Sequence, residues 1–107
     1  MELKSLQERA LVIRQKYGEW ERQQYGRSWT TDEIALGFMG DVGDLAKLIM
    51  AHKGIRNIDR AEDKLAHELA DCLWAIIVLA DACNVDLEQA FLQTMTELEQ
   101  SLDKRLS

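Results

Sequence analysis

The stretch Leu69-Ala-Asp71-Cys72-Leu-Trp74-Ala-Ile-Ile-Val-Leu-Ala-Asp81-Ala-Cys83 carries only two charged residues, Asp71 and Asp81. The rest is apolar, including Trp74 and both cysteines. The stretch therefore reads as a helix apolar around most of its circumference, buried on most sides. Asp59-x-x-Glu62 resembles a capping box that would open this helix, and Asn84-Val85 reads as the turn that ends it.

Working outward, three more helices follow. Leu3, Leu6, Ala10, Ile13, Tyr17 and Trp20 recur in steps of three and four, one apolar stripe on a helix from about Leu3 to Tyr25. Gly26 to Ser28 breaks it. Thr30 or Thr31 caps a second helix, with Thr30-x-x-Glu33 as the capping box, and Gly54 suits the left-handed residue that ends it near His52. Asp86-x-x-Gln89 caps a fourth, with Leu87, Phe91, Met95, Leu98 and Leu102 on one face. The expectation is one all-α domain over residues 1–107, a four-helix bundle with short connections, its neighbouring helices mostly antiparallel.

Composition agrees. The chain has 107 residues, no proline and 6 glycines, a poor supply of turn residues for a sandwich or barrel. Its formal net charge is −6, from 19 acidic and 13 basic side chains, which argues against direct nucleic-acid binding. The N-terminus has no apolar core of a secretory signal. Cys72 and Cys83, if on one helix, stand roughly 16 Å apart along its axis and cannot pair. No stretch is apolar for the ~20 residues a membrane span needs. These features set the expectation of a cytoplasmic protein without a membrane partner.

Two acidic pairs stand out. On the third helix Glu68 and Asp71 lie three apart, sharing a face with Ala75, Val78 and Ala82, so two carboxylates border the core. On the second helix Asp41 and Asp44 repeat that spacing at the edge of an apolar arc, flanked by Gly40 and Gly43. Two glycines within a helix cost ~1 kcal/mol each relative to alanine, so something is expected to approach the backbone there. If the second and third helices pack antiparallel, the four carboxylates converge and repel unless divalent cations lie between them. An all-oxygen set suits a hard ion, Mg²⁺ or Mn²⁺.

Gly40-Asp41-Val42-Gly43-Asp44-Leu45, followed by Glu68-Leu69-Ala70-Asp71 with 23 residues between Asp44 and Glu68, resembles the MazG-like branch of the all-α NTP pyrophosphatases. The likeness runs from about Asp32 to Phe91 and includes Leu79-Ala80-Asp81 and Val85 to Ala90. It implies a four-helix MazG-like fold, hydrolysis of a nucleoside triphosphate to monophosphate and pyrophosphate, and Asp41, Asp44, Glu68 and Asp71 as catalytic Mg²⁺ ligands. It also implies a homodimer or dimer of dimers, which the apolar excess of the third helix supports independently.

The chain departs from the family pattern in having Gly40 where the family has its first Glu. It also has aspartate at 41 and 44, where a shorter side chain reaches about 1.5 Å less far. A nucleotide- or metal-binding protein without turnover, and a helical interaction module, are the alternatives. Lys47, Lys53 and Arg56 are candidate phosphate binders. Trp29, in a loop, is the aromatic residue freest to stack on a base. His52 and His67 read as a helix cap and a neighbouring surface group.

Overall fold

The computed structural model describes residues 2–107; Met1, the first residue of the expected domain, lies outside them. Among the described residues there are four helices and no strand: α1 (Leu3–Tyr25), α2 (Thr31–His52), α3 (Ala61–Ala82) and α4 (Leu87–Leu106). None is long and apolar enough to cross a membrane.

The helix ends follow local chemistry. Gly26 takes the left-handed conformation at φ 80° and stops α1. At the start of α2 the Thr30 hydroxyl accepts the Glu33 N–H at 3.2 Å, and Glu33 accepts the Thr30 N–H at 3.1 Å, a complete capping box. Arg27 donates to the same carboxylate at 2.6 Å, and this bond, with the Thr30 N–H, holds Glu33 down at about 2. The ends of α2 and α3 share one motif. Ile55 N–H donates to the Met50 carbonyl at 2.9 Å and Val85 N–H to Ala80 at 2.8 Å. The left-handed residue is Gly54 in one and Asn84 in the other.

The expected box Asp59-x-x-Glu62 does not form. Arg60, in the left-handed region at φ 55°, precedes α3 without a side-chain cap. The helix begins one residue too late for Asp59 to reach it, and Glu62 is drawn instead to His52 Nδ1 at 2.6 Å.

α3 is the central element. It packs along α2, more briefly on α1, and touches α4 least. The α2–α3 pair is antiparallel: His52 meets Glu62 near the connecting loop, and Asp41 and Asp44 meet Glu68 further along. The core is small and sits mainly between these helices, at Ile34, Leu48, Cys72, Ala75, Ile77 and Val78, with Ala10 from α1.

The expectation of helices folded back on their neighbours fails at α4, which buries no residue. Its apolar face is exposed, Phe91 at 56 % and Leu98 at 51 %. The radius of gyration is 17.2 Å, against roughly 13 Å for a compact chain of this length. α3 is correspondingly less covered than its sequence suggests, with Leu69, Leu73 and Ile76 exposed. Nor is the α1 stripe a core stripe throughout, since Tyr17 and Trp20 stand half in solvent. Among the described residues, nothing beyond the adjacent residues and the helix's own backbone comes within 4 Å of a Cβ placed on Gly40 or Gly43, so the close approach expected there is not seen.

Candidate functional site

Antiparallel packing of α2 on α3 brings the two acidic pairs together. One carboxylate oxygen from each of Asp41, Asp44 and Glu68 lies within 4.8 Å of the others. The three-residue spacing puts Asp41 and Asp44 on successive turns of one face, and Glu68 enters from the opposing helix. Glu68 Oε1 is shielded from solvent and has no hydrogen-bond partner. Its carboxyl is pushed above its ordinary 4.5, first by burial and then by the charges of Asp41, Asp71 and Asp44. A buried oxygen without a donor, facing two further carboxylates, is an arrangement that a cation would satisfy. The donors are all hard oxygen.

Asp71 stands apart from this trio. Its Oδ2 is 3.1 Å from His67 Nε2, one helical turn earlier, though its charge still reaches Glu68. His67 is thus a neighbour of the cluster through Asp71.

Two clefts share the acidic residues. One, of about 650 Å³, is lined by Asp41 and Asp71 together with Tyr17, Trp20, Trp29, Phe38 and Trp74. Its walls are braced: the Trp74 indole N–H donates to the Ala10 carbonyl at 3.1 Å, and Tyr17 meets the Trp74 ring edge-on at 5.9 Å between centroids. The other cleft, of about 470 Å³, is lined by Asp44 and Glu68 together with Lys47, Arg60, Lys64 and His67. Arg60 is paired there with Asp63 at 3.2 Å.

The candidate binding residues are therefore divided. Trp29 lines the aromatic cleft and Lys47 the cationic one. Lys53 and Arg56 are exposed near the α2–α3 connection and line neither. Sequence reasoning passed over Arg60 and Lys64. Lys64 is legible on a helical wheel, four residues before Glu68 on the same face, whereas Arg60 precedes the helix and only its left-handed backbone brings it there. It also passed over Arg14 and Glu21, two charges seven apart beside the α1 stripe. Glu21 is 4 % exposed, and Arg14 pairs with it at 3.2 Å.

The chain matches no family model, no curated protein and no solved structure in the three comparisons made.

Proposed function

We propose that this chain is a divalent-cation-dependent nucleoside triphosphate pyrophosphohydrolase, which converts an NTP or dNTP to the monophosphate and pyrophosphate and so clears nucleotides from the pool. The observation that carries the reading is the convergence of Asp41, Asp44 and Glu68 from two helices around a buried, partnerless carboxylate oxygen. The order and spacing of the two acidic motifs, which resemble those of the MazG-like pyrophosphatases, support it from the sequence.

Asp41, Asp44 and Glu68 would hold Mg²⁺, or Mn²⁺, and the donor set fits such an ion. When bound, a hard divalent cation neutralises charge on a phosphate chain and acidifies water. The chain's own groups supply the rest. Lys47, Arg60 and Lys64 offer positive charge to the phosphates beyond the trio. Asp71, steadied by His67, is placed to accept a proton at its carboxylate. The aromatic cleft beside Asp41 and Asp71 shields the opposite end of the nucleotide from water. An acidic protein thereby binds an anion through a bridging cation instead of a basic surface.

The exposed apolar face of α4, the uncovered residues of α3 and the open space beside Gly40 and Gly43 support assembly with a second copy, as a dimer or dimer of dimers. Size-exclusion chromatography with light scattering at micromolar concentration would then give a multiple of 12.3 kDa; a clean monomer mass refutes the assembly.

The test of function is a panel of NTPs, dNTPs and base-modified analogues with Mg²⁺ or Mn²⁺, scored for pyrophosphate. Release from at least one nucleotide, lost in Glu68→Ala, is expected. No release across the panel refutes the reading and leaves a binding protein.

A further inference from the structure

The part-buried pair Arg14–Glu21 has no part in the chemistry above, yet Glu21 is withdrawn from water almost completely. Its oxygens are spoken for. Oε1 accepts the main-chain N–H of Trp29 at 2.8 Å and Arg14 Nη1 at 3.2 Å. Arg14 Nη2 in turn donates to the main-chain carbonyl of Trp29 at 2.8 Å and lies 3.5 Å from the Ser28 hydroxyl. Both backbone polar groups of Trp29 are therefore taken by one ion pair from α1.

Joining α1 to α2 does not call for this pair. Gly26 already ends α1 and the Thr30–Glu33 box already opens α2. An ion pair withdrawn from solvent loses hydration that its mutual attraction scarcely recovers, so it is a poor device for stability alone. Nor does the pair anchor a core residue, because Trp29 remains 46 % exposed. What it fixes is the main chain from which a half-exposed indole extends. Trp29 lines the aromatic cleft together with Tyr17, Trp20 and Trp74, and with Asp41 and Asp71. A cleft of this size with several π faces takes a flat heteroaromatic ring.

We infer that the aromatic cleft receives the base of the nucleotide, and that Arg14 and Glu21 are positioning residues that hold Trp29 as its wall. The inference rests on the nucleotide reading above and adds to it which groups bind the base. Arg14 and Glu21 act through Trp29 and do not touch the reacting phosphates.

The experiment is a mutant cycle on binding, free of turnover. Affinities for the four α,β-imido deoxynucleoside triphosphates and for inorganic tripolyphosphate, which has no base, are measured with Mg²⁺ by calorimetry. Trp29→Ala and Glu21→Ala should each weaken the best-bound imido nucleotide about tenfold, within the range of one lost stacking contact. Both should leave tripolyphosphate within about twofold. The double variant should bind no more weakly than Trp29→Ala alone, because Glu21 has nothing left to position. Arg14→Lys retains the charge opposite Glu21 but not the fork that reaches Trp29. It should lose nucleotide affinity while keeping the wild-type melting temperature, and it decides the matter if Glu21→Ala does not fold.

Additive losses in the double variant, an equal loss for tripolyphosphate, or unchanged nucleotide binding in Trp29→Ala and Arg14→Lys would overturn the inference. So would a wild-type protein that binds tripolyphosphate as tightly as every imido nucleotide. The two readings fail separately. Base-dependent binding that follows the cycle, without pyrophosphate release from ordinary nucleotides, sinks the enzyme and keeps the base site. Hydrolysis with unaltered KM in both single variants does the reverse.

Discussion

The two clefts that divide the acidic trio between them differ in how their walls are held. In the aromatic cleft three of the aromatic residues are braced: Trp74 by its bond to Ala10, Tyr17 by its edge contact with Trp74, and Trp29 by a clamp on its backbone. In the cationic cleft the charges sit on long side chains, and Arg60, whose contact is an exposed pair with Asp63, is 72 % exposed there. A planar ring has one shape, so a rigid slot suits it and lowers the ordering cost of binding. A phosphate chain turns about every bridging oxygen, and mobile cations can follow it. On the function proposed above, this contrast would give the molecule a direction, with base at one end, phosphates at the other and the trio between.

The largest effect should come from breaking the acidic trio that the two clefts border. Glu68→Ala is expected to lower pyrophosphate release at least about a hundredfold, more than loss of a group that only supports a metal ligand. It should also abolish stabilisation by Mg²⁺. In the wild type, Mg²⁺ at a hundred times its Kd adds ~2.7 kcal/mol, roughly 10 °C or more for a domain of this size. Scanning calorimetry with and without chelator reads this directly.

The next effects should separate the two ends. Arg60→Ala with Lys64→Ala should raise KM several-fold for every nucleotide alike, and the wild-type advantage should shrink at high salt, because exposed charges are screened. Trp29→Ala should instead raise KM by amounts that differ among bases and respond little to salt. Steady-state kinetics at two ionic strengths breaks the comparison if both variants behave the same way.

A smaller effect concerns pH. Burial and neighbouring carboxylates raise Glu68 above its ordinary 4.5 in the folded chain. Its contribution to stability is then fully present below that value and lost as pH rises through the folded pKa. In chelator, the wild type should lose melting temperature relative to Glu68→Gln from about pH 4.5 upward, and Mg²⁺ should reverse the loss at neutral pH. Parallel melting curves across that window would contradict the crowding of carboxylates around Glu68.

Much of this was legible in the sequence. Periodicity located all four helices, and glycine and capping chemistry located most of their ends, because those signals are local. The pairs Asp41/Asp44 and Glu68 were legible as well, since a spacing of three on an apolar helix fixes a shared face, and only the antiparallel packing had to be added. The Asp59–Glu62 box was misread because a cap depends on where the chain enters the helix, and the contact between Glu62 and His52 is ten residues apart in sequence. The exposure of α4 was hidden for a different reason. Its stripe of Phe91, Met95, Leu98 and Leu102 looks the same whether it is covered by this chain or by another. Arg14 and Glu21 were passed over because their meaning lies in the main chain of Trp29, which no residue pattern displays. Cys72 and Cys83 are both free, as their separation on one helix requires.

The central claim is that the trio between the clefts works on a triphosphate. It is tested most directly by incubating the preferred nucleotide with Mg²⁺ and the wild-type chain and resolving the products by ion-exchange chromatography. Nucleoside monophosphate and pyrophosphate in equal amounts, both lost in Glu68→Ala, is the result expected. Nucleoside diphosphate with inorganic phosphate, or product formation that persists in Glu68→Ala, would contradict it.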